Sequence, residues 1–537
     1  MAADRAVGKG GTTQALSPEA KGTSPSGPFI RAALLWLVFS SGVAVMGLEM
    51  SASRLIAPHF GNTLSVWTSL IGLILAFLTI GYYVGGALAD RAPSRALLGS
   101  IVLVAGMLAV ALPFASAPVL RMAGSLTPKA GILPASLVGT FALFSLPTVL
   151  LGCVCPFALK LSVNDLGRTG RTSGRIYAVS AIGSVVGTFL PALVTIPRLG
   201  VRHSIMVFGA LLIIAALLLL GRLRFVPAAG ALALLAVPLP SLLPTRGAIL
   251  EKESPYNYLR VVQAGPTRLL IANWDAFSCY TPGEFRNGEY YDYLLLAPLL
   301  RAAPAATWLH RVLIVGLGAG TASKQITQAY GPVPIDGIEI DPAIVALARR
   351  YFGMDEPNLR VHVTDGRAFL AAAKEPYDWA IVDAYQSSDI PFHLITREFF
   401  QELRAHMSPH GVLAINVAWW RPDDPELLGL VVATVKSVFP RVYAVTGISR
   451  NSGAVLLAGP DDASISHLLP MARAAGHAGL LEIAREVLAG SGPKMAAAQG
   501  VGKPLADDLA PIEEIADRMY RQSRREAYQR EQLVLVH

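Results

Sequence analysis

Long apolar runs recur through the first half of the chain, at about 32–52, 66–88, 97–120, 132–159, 176–197, 203–221 and 225–244. Each is near the twenty or so residues that a helix needs to cross a bilayer. Seven such segments exceed what the core of a soluble domain of this size holds, so an all-α multi-span membrane domain is expected over 29–247. The last segment carries Pro227, Pro238, Pro240 and Pro244. Proline removes a helix donor and bends the backbone, so this stretch is read as re-entrant or interfacial. Residues 1–28, rich in Gly, Ser, Thr, Ala and Pro with no apolar period, read as a disordered tail. They do not read as a signal peptide, because the following run is long and lacks a convincing small-residue cleavage site.

The pattern changes near residue 248. Tyr258 to Gln263 and Arg268 to Asn273 alternate and carry β-formers, as hairpin strands do, so 248–300 is read as a small β leader. Trp274, Phe277 and Tyr280 in that leader read as core aromatics, with a pocket lining as the alternative. Four short runs follow: Val312 to Val315, Ile335 to Ile340, Leu359 to Val363 and Trp379 to Val382. Strands buried on both faces of a parallel sheet have this form. With helices between them, they predict an α/β Rossmann-like fold over 301–537. Val412 to Val417 and Ala454 to Leu457 suit its last strands, with a helix from Leu427 to Val438 between them. Arg518 to Gln532 is a mixed charged run, read as a solvated helix.

Candidate chemistry sits at the strand ends. The first strand breaks into Gly316, Gly318 and Gly320, where the backbone can pass close under a ligand because no Cβ blocks it. The second strand ends in Glu339 and Asp341, about twenty residues on, where an acid can accept both hydroxyls of a ribose. The third glycine of a dinucleotide fingerprint would fall at Ala319 or Ser323, so the match to that motif is imperfect. The third strand ends in Asp365 and Gly366, a carboxylate placed to accept from an exocyclic adenine amine. The fourth ends at Asp383, in the crevice that strand carboxyl ends form in this fold.

Composition adds sidedness. Of 537 residues, 53% are hydrophobic and 15% charged, and the mean hydropathy of +0.48 reflects the first half. The net charge of +8 could suggest nucleic acid, but the cations lie scattered across short loops, as membrane-flanking charge does. Arg5, Lys9, Lys21, Arg31, Arg91, Arg95, Lys160, Arg168, Arg171, Arg175, Arg222 and Arg224 fall on one side of the predicted spans. Arg54, Arg121, Lys129, Arg198 and Arg202 fall on the other. That bias places the N-terminus in the cytoplasm. Seven full crossings would then put the C-terminal half outside, so a cytoplasmic catalytic domain requires that one segment not cross. The cytoplasmic placement is the expectation. Glu49, near the end of the first run, is read as pairing with Arg54, and the glycines of Gly81 to Gly86 as close helix packing. Cys153, Cys155 and Cys279 lack the spacing of a zinc site, and no metal is expected.

The stretches GLGAGT, IEID, TDGRAFL, YDWAIVDAY and IPFHLITREFF together resemble the spermidine synthase (polyamine aminopropyltransferase) family over about Glu251 to Gly459. The membrane half resembles bacterial proteins in which a transporter-like segment is fused to such a domain. The resemblance implies a methyltransferase-type form of the Rossmann-like fold, with S-adenosylmethionine, or its decarboxylated form, as co-substrate. It also implies a bacterial inner-membrane location, and cleavage of the γ-carbon–sulfur bond to release methylthioadenosine. Gly316, Gly318, Gly320, Glu339, Asp365, Gly366, Tyr291 and Asp292 would hold the donor; Tyr290, Tyr291 and Asp292 match the family's Tyr-x-Glu segment, with Asp in place of Glu. Asp383, Tyr385 and Asp389 would carry the chemistry, with Asp383 as base and His393 as a loop anchor.

Departures from the family pattern matter. Ala319 stands where the family has the Asp that binds the aminopropyl ammonium, and Gln386 replaces the second carboxylate of its Asp-x-x-Asp segment. The family's donor-contacting Gln is missing from Asn273 to Tyr280. Intact adenosylmethionine is therefore less repelled than in the family. Aminopropyl-type transfer to an amine and a lyase or cyclase reaction within the donor both stay open. The alternatives are a methyltransferase, or a transporter whose soluble domain senses a nucleoside. Expected partners are a small-molecule substrate and the lipid bilayer, not nucleic acid, with a homodimer left open.

Overall fold

The apolar runs fold as helices because a helix satisfies its backbone hydrogen bonds within itself, and helix continues through Pro113, Pro118 and Pro147 although each lacks a donor. The computed structural model describes residues 28–512 and 515, apart from 62, 164–165, 222–237, 274, 386–390, 418–425, 449–452 and 491. Among the described residues, six helices are long and apolar enough to cross a membrane. They are α1 (Pro28–Phe60), α2 (Leu64–Arg91), α3 (Arg95–Gly124), α4 (Ile132–Ser162), α5 (Thr169–Leu199) and α6 (Val201–Leu220). The expected seventh segment falls largely on 222–237 and so lies outside the described residues, as do the tail and the C-terminal charged run.

Small residues set the helix contacts. A Cβ on Gly81 would meet the Val149 carbonyl oxygen at 2.3 Å, and one on Gly85 would meet Cys153 Cα at 2.5 Å, so α2 and α4 run parallel in backbone contact. Gly183 and Gly187 of α5 approach Phe39 and Val43 of α1 in the same way. Gly99 packs against Leu220 and Gly106 against Gly209, which makes α3 and α6 antiparallel. The expected Glu49–Arg54 pair does not form: no ion pair joins them. Five residues along a helix put two side chains about 140° apart around the axis. Arg54 instead lines a recess with Glu253, Tyr256 and Asn257 of the leader.

That leader is a four-stranded antiparallel sheet in the order β1 (Ala248–Glu253), β2 (Tyr258–Ala264), β3 (Thr267–Ala272), β4 (Asp275–Tyr280). Phe277 and Tyr280 pack on the core beneath it, as expected of hairpin aromatics, and Trp274 lies outside the described residues. The main sheet has the order β12-β10-β11-β9-β8-β5-β6-β7. Its parallel part is β5 (Val312–Val315), β6 (Ile335–Glu339), β7 (Leu359–Val363), β8 (Tyr377–Val382) and β9 (Met407–Val417). Antiparallel β10 (Arg441–Thr446), β11 (Ala454–Gly459) and β12 (Lys494–Ala497) complete it. Alternate residues of the central strands enter opposite cores, Val312 and Ile314 on one face, Leu313 and Val315 on the other. The chain steps outward from β5 through β6 to β7, then returns to place β8 on the other side of β5. The carboxyl ends of β5 and β8 are thus the switch point, where such sheets open a crevice.

Candidate active site at the carboxyl edge of the sheet

At the switch point two loops touch. Gly316 follows β5 with φ +91°, and a Cβ there would lie 2.2 Å from the Asp383 carbonyl oxygen. The Asp383 amide donates to the Val315 carbonyl at 2.8 Å, so the glycine turn and the end of β8 are seated together. Gly318 has φ +56°, and a Cβ on it would meet Ser278 Oγ of β4 at 2.8 Å. The Ala319 amide donates to that same oxygen at 2.8 Å. Gly320, in the left-handed region, precedes α8 (Thr321–Tyr330) and faces Met354. These glycines are therefore required by the chain's own packing, and Ala319 is buried under the leader.

Glu339 ends β6 and is nearly buried. Its two oxygens accept from the Gly318 and Asp341 amides, at 3.0 Å each. Burial pushes its pKa up to about 7, against the lowering effect of those amides. Each oxygen keeps a second acceptor position, the arrangement two ribose hydroxyls need. Asp341, the other acid at this strand end, is used up structurally. It caps α9 (Pro342–Tyr351) through the Ala343 amide at 2.9 Å and accepts from Ser254 Oγ at 2.6 Å.

Asp365 caps α10 (Gly366–Ala372), accepting from the Arg367 and Ala368 amides, while its other oxygen lies 3.2 Å from His393 Nε2. Burial favours its neutral form, but the Ala368 amide and His393 outweigh that, and its pKa is lowered. Gly366 is buried, and a Cβ on it would strike Val315 Cγ1 at 2.4 Å. Along the edge the order is Asp365 on β7, Glu339 on β6, Gly316 on β5 and Asp383 on β8, with about 4.8 Å per strand.

Asp383 is held by two donors: Tyr290 Oη at 2.9 Å to one oxygen and Asn416 Nδ2 at 2.9 Å to the other. Burial pushes its pKa up to about 7; these two donors pull it down and the Glu339 charge adds to the rise. Tyr290 and Tyr291 pack with ring centroids 4.0 Å apart and planes tilted by 31° on α7 (Tyr290–Leu294). Burial raises both phenols well above their ordinary range. Tyr291 donates to the Phe277 carbonyl at 2.6 Å, and Tyr385 to the Asn416 carbonyl at 2.8 Å. Asp292 points away into the loop it organises, accepting from Gln325 at 2.7 Å and from the Asn287 and Gly288 amides. Asp389 and Gln386 lie outside the described residues. Sequence reasoning did not single out Asn416 or Ser278. A polar residue near the end of the apolar run Val412 to Val417 was the available signal for Asn416; for Ser278 there was none.

The sheet order and this carboxylate-lined edge define a Rossmann-like domain of the methyltransferase type. Residues 302–446 match the family described as the spermine/spermidine synthase domain, and the C-terminal half of the chain carries a domain of that family. A probable polyamine aminopropyl transferase of Bifidobacterium longum (strain NCC 2705) is 37% identical over 205 residues, 38% of this chain and 44% of that protein. A polyamine aminopropyltransferase of Vibrio vulnificus (strain CMCP6) is 36% identical over 137 residues, 25% of this chain and 44% of that protein. The chain thus spans less than half the length of these curated relatives. The crystal structure of a probable spermidine synthase from Corynebacterium glutamicum matches with TM-score 0.39 and 19% identity, over 50% of this chain and all of that one.

Proposed function

We propose that the protein is a membrane-bound transferase of alkyl groups other than methyl, which binds decarboxylated S-adenosylmethionine or S-adenosylmethionine and releases methylthioadenosine. The observation that carries this reading is Asp383, set at the switch point between two hydrogen-bond donors with its pKa near 7. The donor would lie along the strand ends, adenine towards Asp365, ribose on Glu339 and sulfonium over Gly316 and Gly318. An amine nitrogen attacks the γ-carbon; the carbon–nitrogen bond forms, the carbon–sulfur bond breaks, and its electron pair leaves on sulfur as the neutral thioether. The amine's proton goes to the Asp383 carboxylate. Tyr290 and Asn416 fix the carboxylate in place, and holding the amine in line supplies most of the remaining acceleration. Asp389, four residues beyond Tyr385 in the sequence, remains in the proposed catalytic set as a second carboxylate. Ala319 offers no carboxylate to the donor's ammonium, which leaves both donors acceptable and keeps capture of the alkyl group within the donor itself available.

The test is to incubate the purified full-length protein with each donor, with and without a polyamine, and to identify the nucleoside product. Methylthioadenosine is expected. Adenosylhomocysteine would make the protein a methyltransferase, and binding without any product would make the domain a sensor.

A further inference from the structure

The bundle has two distinguishable ends, and the C-terminal half is attached to the one with fewer loop cations. At the first end, α1 begins, Lys160 pairs with Asp90 at 2.7 Å, and Gly99 near the start of α3 touches Leu220 at the end of α6. At the second, Gly139 near the start of α4 packs on Phe60, which ends α1, and on Leu120 and Ala123 near the end of α3. Here too α6 begins, and Glu253 of β1 caps it, accepting from the Val201 amide at 2.5 Å and the Arg202 amide at 3.2 Å and pairing with the Arg202 guanidinium. The Pro240 carbonyl also accepts from Arg202. Leu220 and Pro240 therefore sit at opposite ends of a helix about 30 Å long, by 1.5 Å per residue. The start of α1 and the C-terminal domain, held at the start of α6, therefore lie at opposite ends of the bundle.

Arg91, Arg95, Lys160, Arg168, Arg171 and Arg175 all flank helix termini at the first end. The second end carries Arg54, Arg121, Lys129, Arg198 and Arg202, against those six and Arg31 near the start of α1 at the first. Lys and Arg in short loops stay on the cytoplasmic side. We infer that the basic end faces the cytoplasm and that the catalytic domain, docked through Glu253 on the other end, faces the extracytoplasmic side. This reverses the cytoplasmic placement expected from the sequence, which required one segment not to cross. The inference rests on membrane residence but not on the reaction assigned to the site.

Single cysteines test it in the full chain within cell membranes. In a background of Cys153→Ala, Cys155→Ala and Cys279→Ala, Lys374→Cys marks an exposed turn of the catalytic domain, and Ala92→Cys marks the α2–α3 loop at the basic end. Intact spheroplasts are treated with a membrane-impermeant maleimide before and after lysis. Lys374→Cys should label before lysis and Ala92→Cys only after it. The reverse order, or no labelling of Lys374→Cys until lysis, overturns the inference; labelling of both before lysis overturns a fixed orientation. As a second readout, intact spheroplasts should convert donor added outside to methylthioadenosine. Outside labelling without that turnover would leave the sidedness standing and count against the proposed reaction alone.

Discussion

Asp383 and Glu339 flank the glycine turn from β8 and β6, and burial pushes both to about 7, from ordinary values of 3.8 and 4.5. A base must be ionised, so kcat/KM should rise with pH through about 7 and level above it. Stability runs the other way. A folded-state pKa above the unfolded value contributes stability that is full below about pH 4 and lost as pH rises through 7. Activity should thus reach its plateau where the fold is giving up this contribution, seen as a falling melting temperature across the same interval. Asp383→Asn keeps the size and can keep the Asn416 bond, with the Tyr290 hydroxyl turned to accept from the new amide, but it removes the proton acceptor. Donor affinity should survive while single-turnover release of methylthioadenosine drops by about 10²–10⁴; turnover near wild type would remove Asp383 from the mechanism. Glu339→Ala should instead weaken donor binding by about 1–3 kcal/mol, read by calorimetry. Unchanged affinity would reject the ribose placement.

At the scale of elements, the glycine turn and the β8 end form one unit, and Gly316 is its joint. Alanine there meets both a positive φ, costing about 1–3 kcal/mol in strain, and the Asp383 carbonyl. Gly331→Ala, with φ +84° and nothing within 4 Å, carries the strain alone. Both variants should melt lower, but only Gly316→Ala should lose turnover, because only it displaces the strand end that carries Asp383, the proposed base. Equal turnover in the two would dissociate the turn from the chemistry. Strands β5 to β8 were legible in the sequence because burial on both faces leaves short apolar runs bounded by glycine and acid. Strands β10 and β12 were not: they lie beyond the parallel core, where Arg441 and Lys494 blur the pattern. The acids were legible as strand-end acids and no further. Asp341, Asp365 and Asp292 occupy such positions or their neighbourhood, yet they cap helices or organise loops. Which oxygen of a carboxylate is left over depends on amides brought in by tertiary folding, and spacing does not encode that.

For the whole molecule, the decisive contact is the one that fixes the leader to the bundle. Arg202 is nearly buried, its guanidinium shared between Glu253, the Pro240 carbonyl and the face of Tyr258, whose centroid lies 5.9 Å away. Glu253 also accepts from the amides that open α6, where a negative charge suits the helix dipole. Glu253→Ala therefore strips a cap and leaves a buried cation without its counter-charge, a loss of about 3–5 kcal/mol where a buried pair is broken from one side. Arg202→Met removes the charge as well, so the double variant should recover part of that loss; the two sites share one network and should not add. Thermal unfolding of the detergent-solubilised protein measures this, followed by tryptophan fluorescence for the single variants and the pair. A single cooperative transition should move down in Glu253→Ala, or split as bundle and catalytic domain unfold separately. Full additivity, or a wild-type transition in Glu253→Ala, would show that the apolar contacts of Leu242, Leu243 and Tyr258 with the bundle hold the halves together on their own.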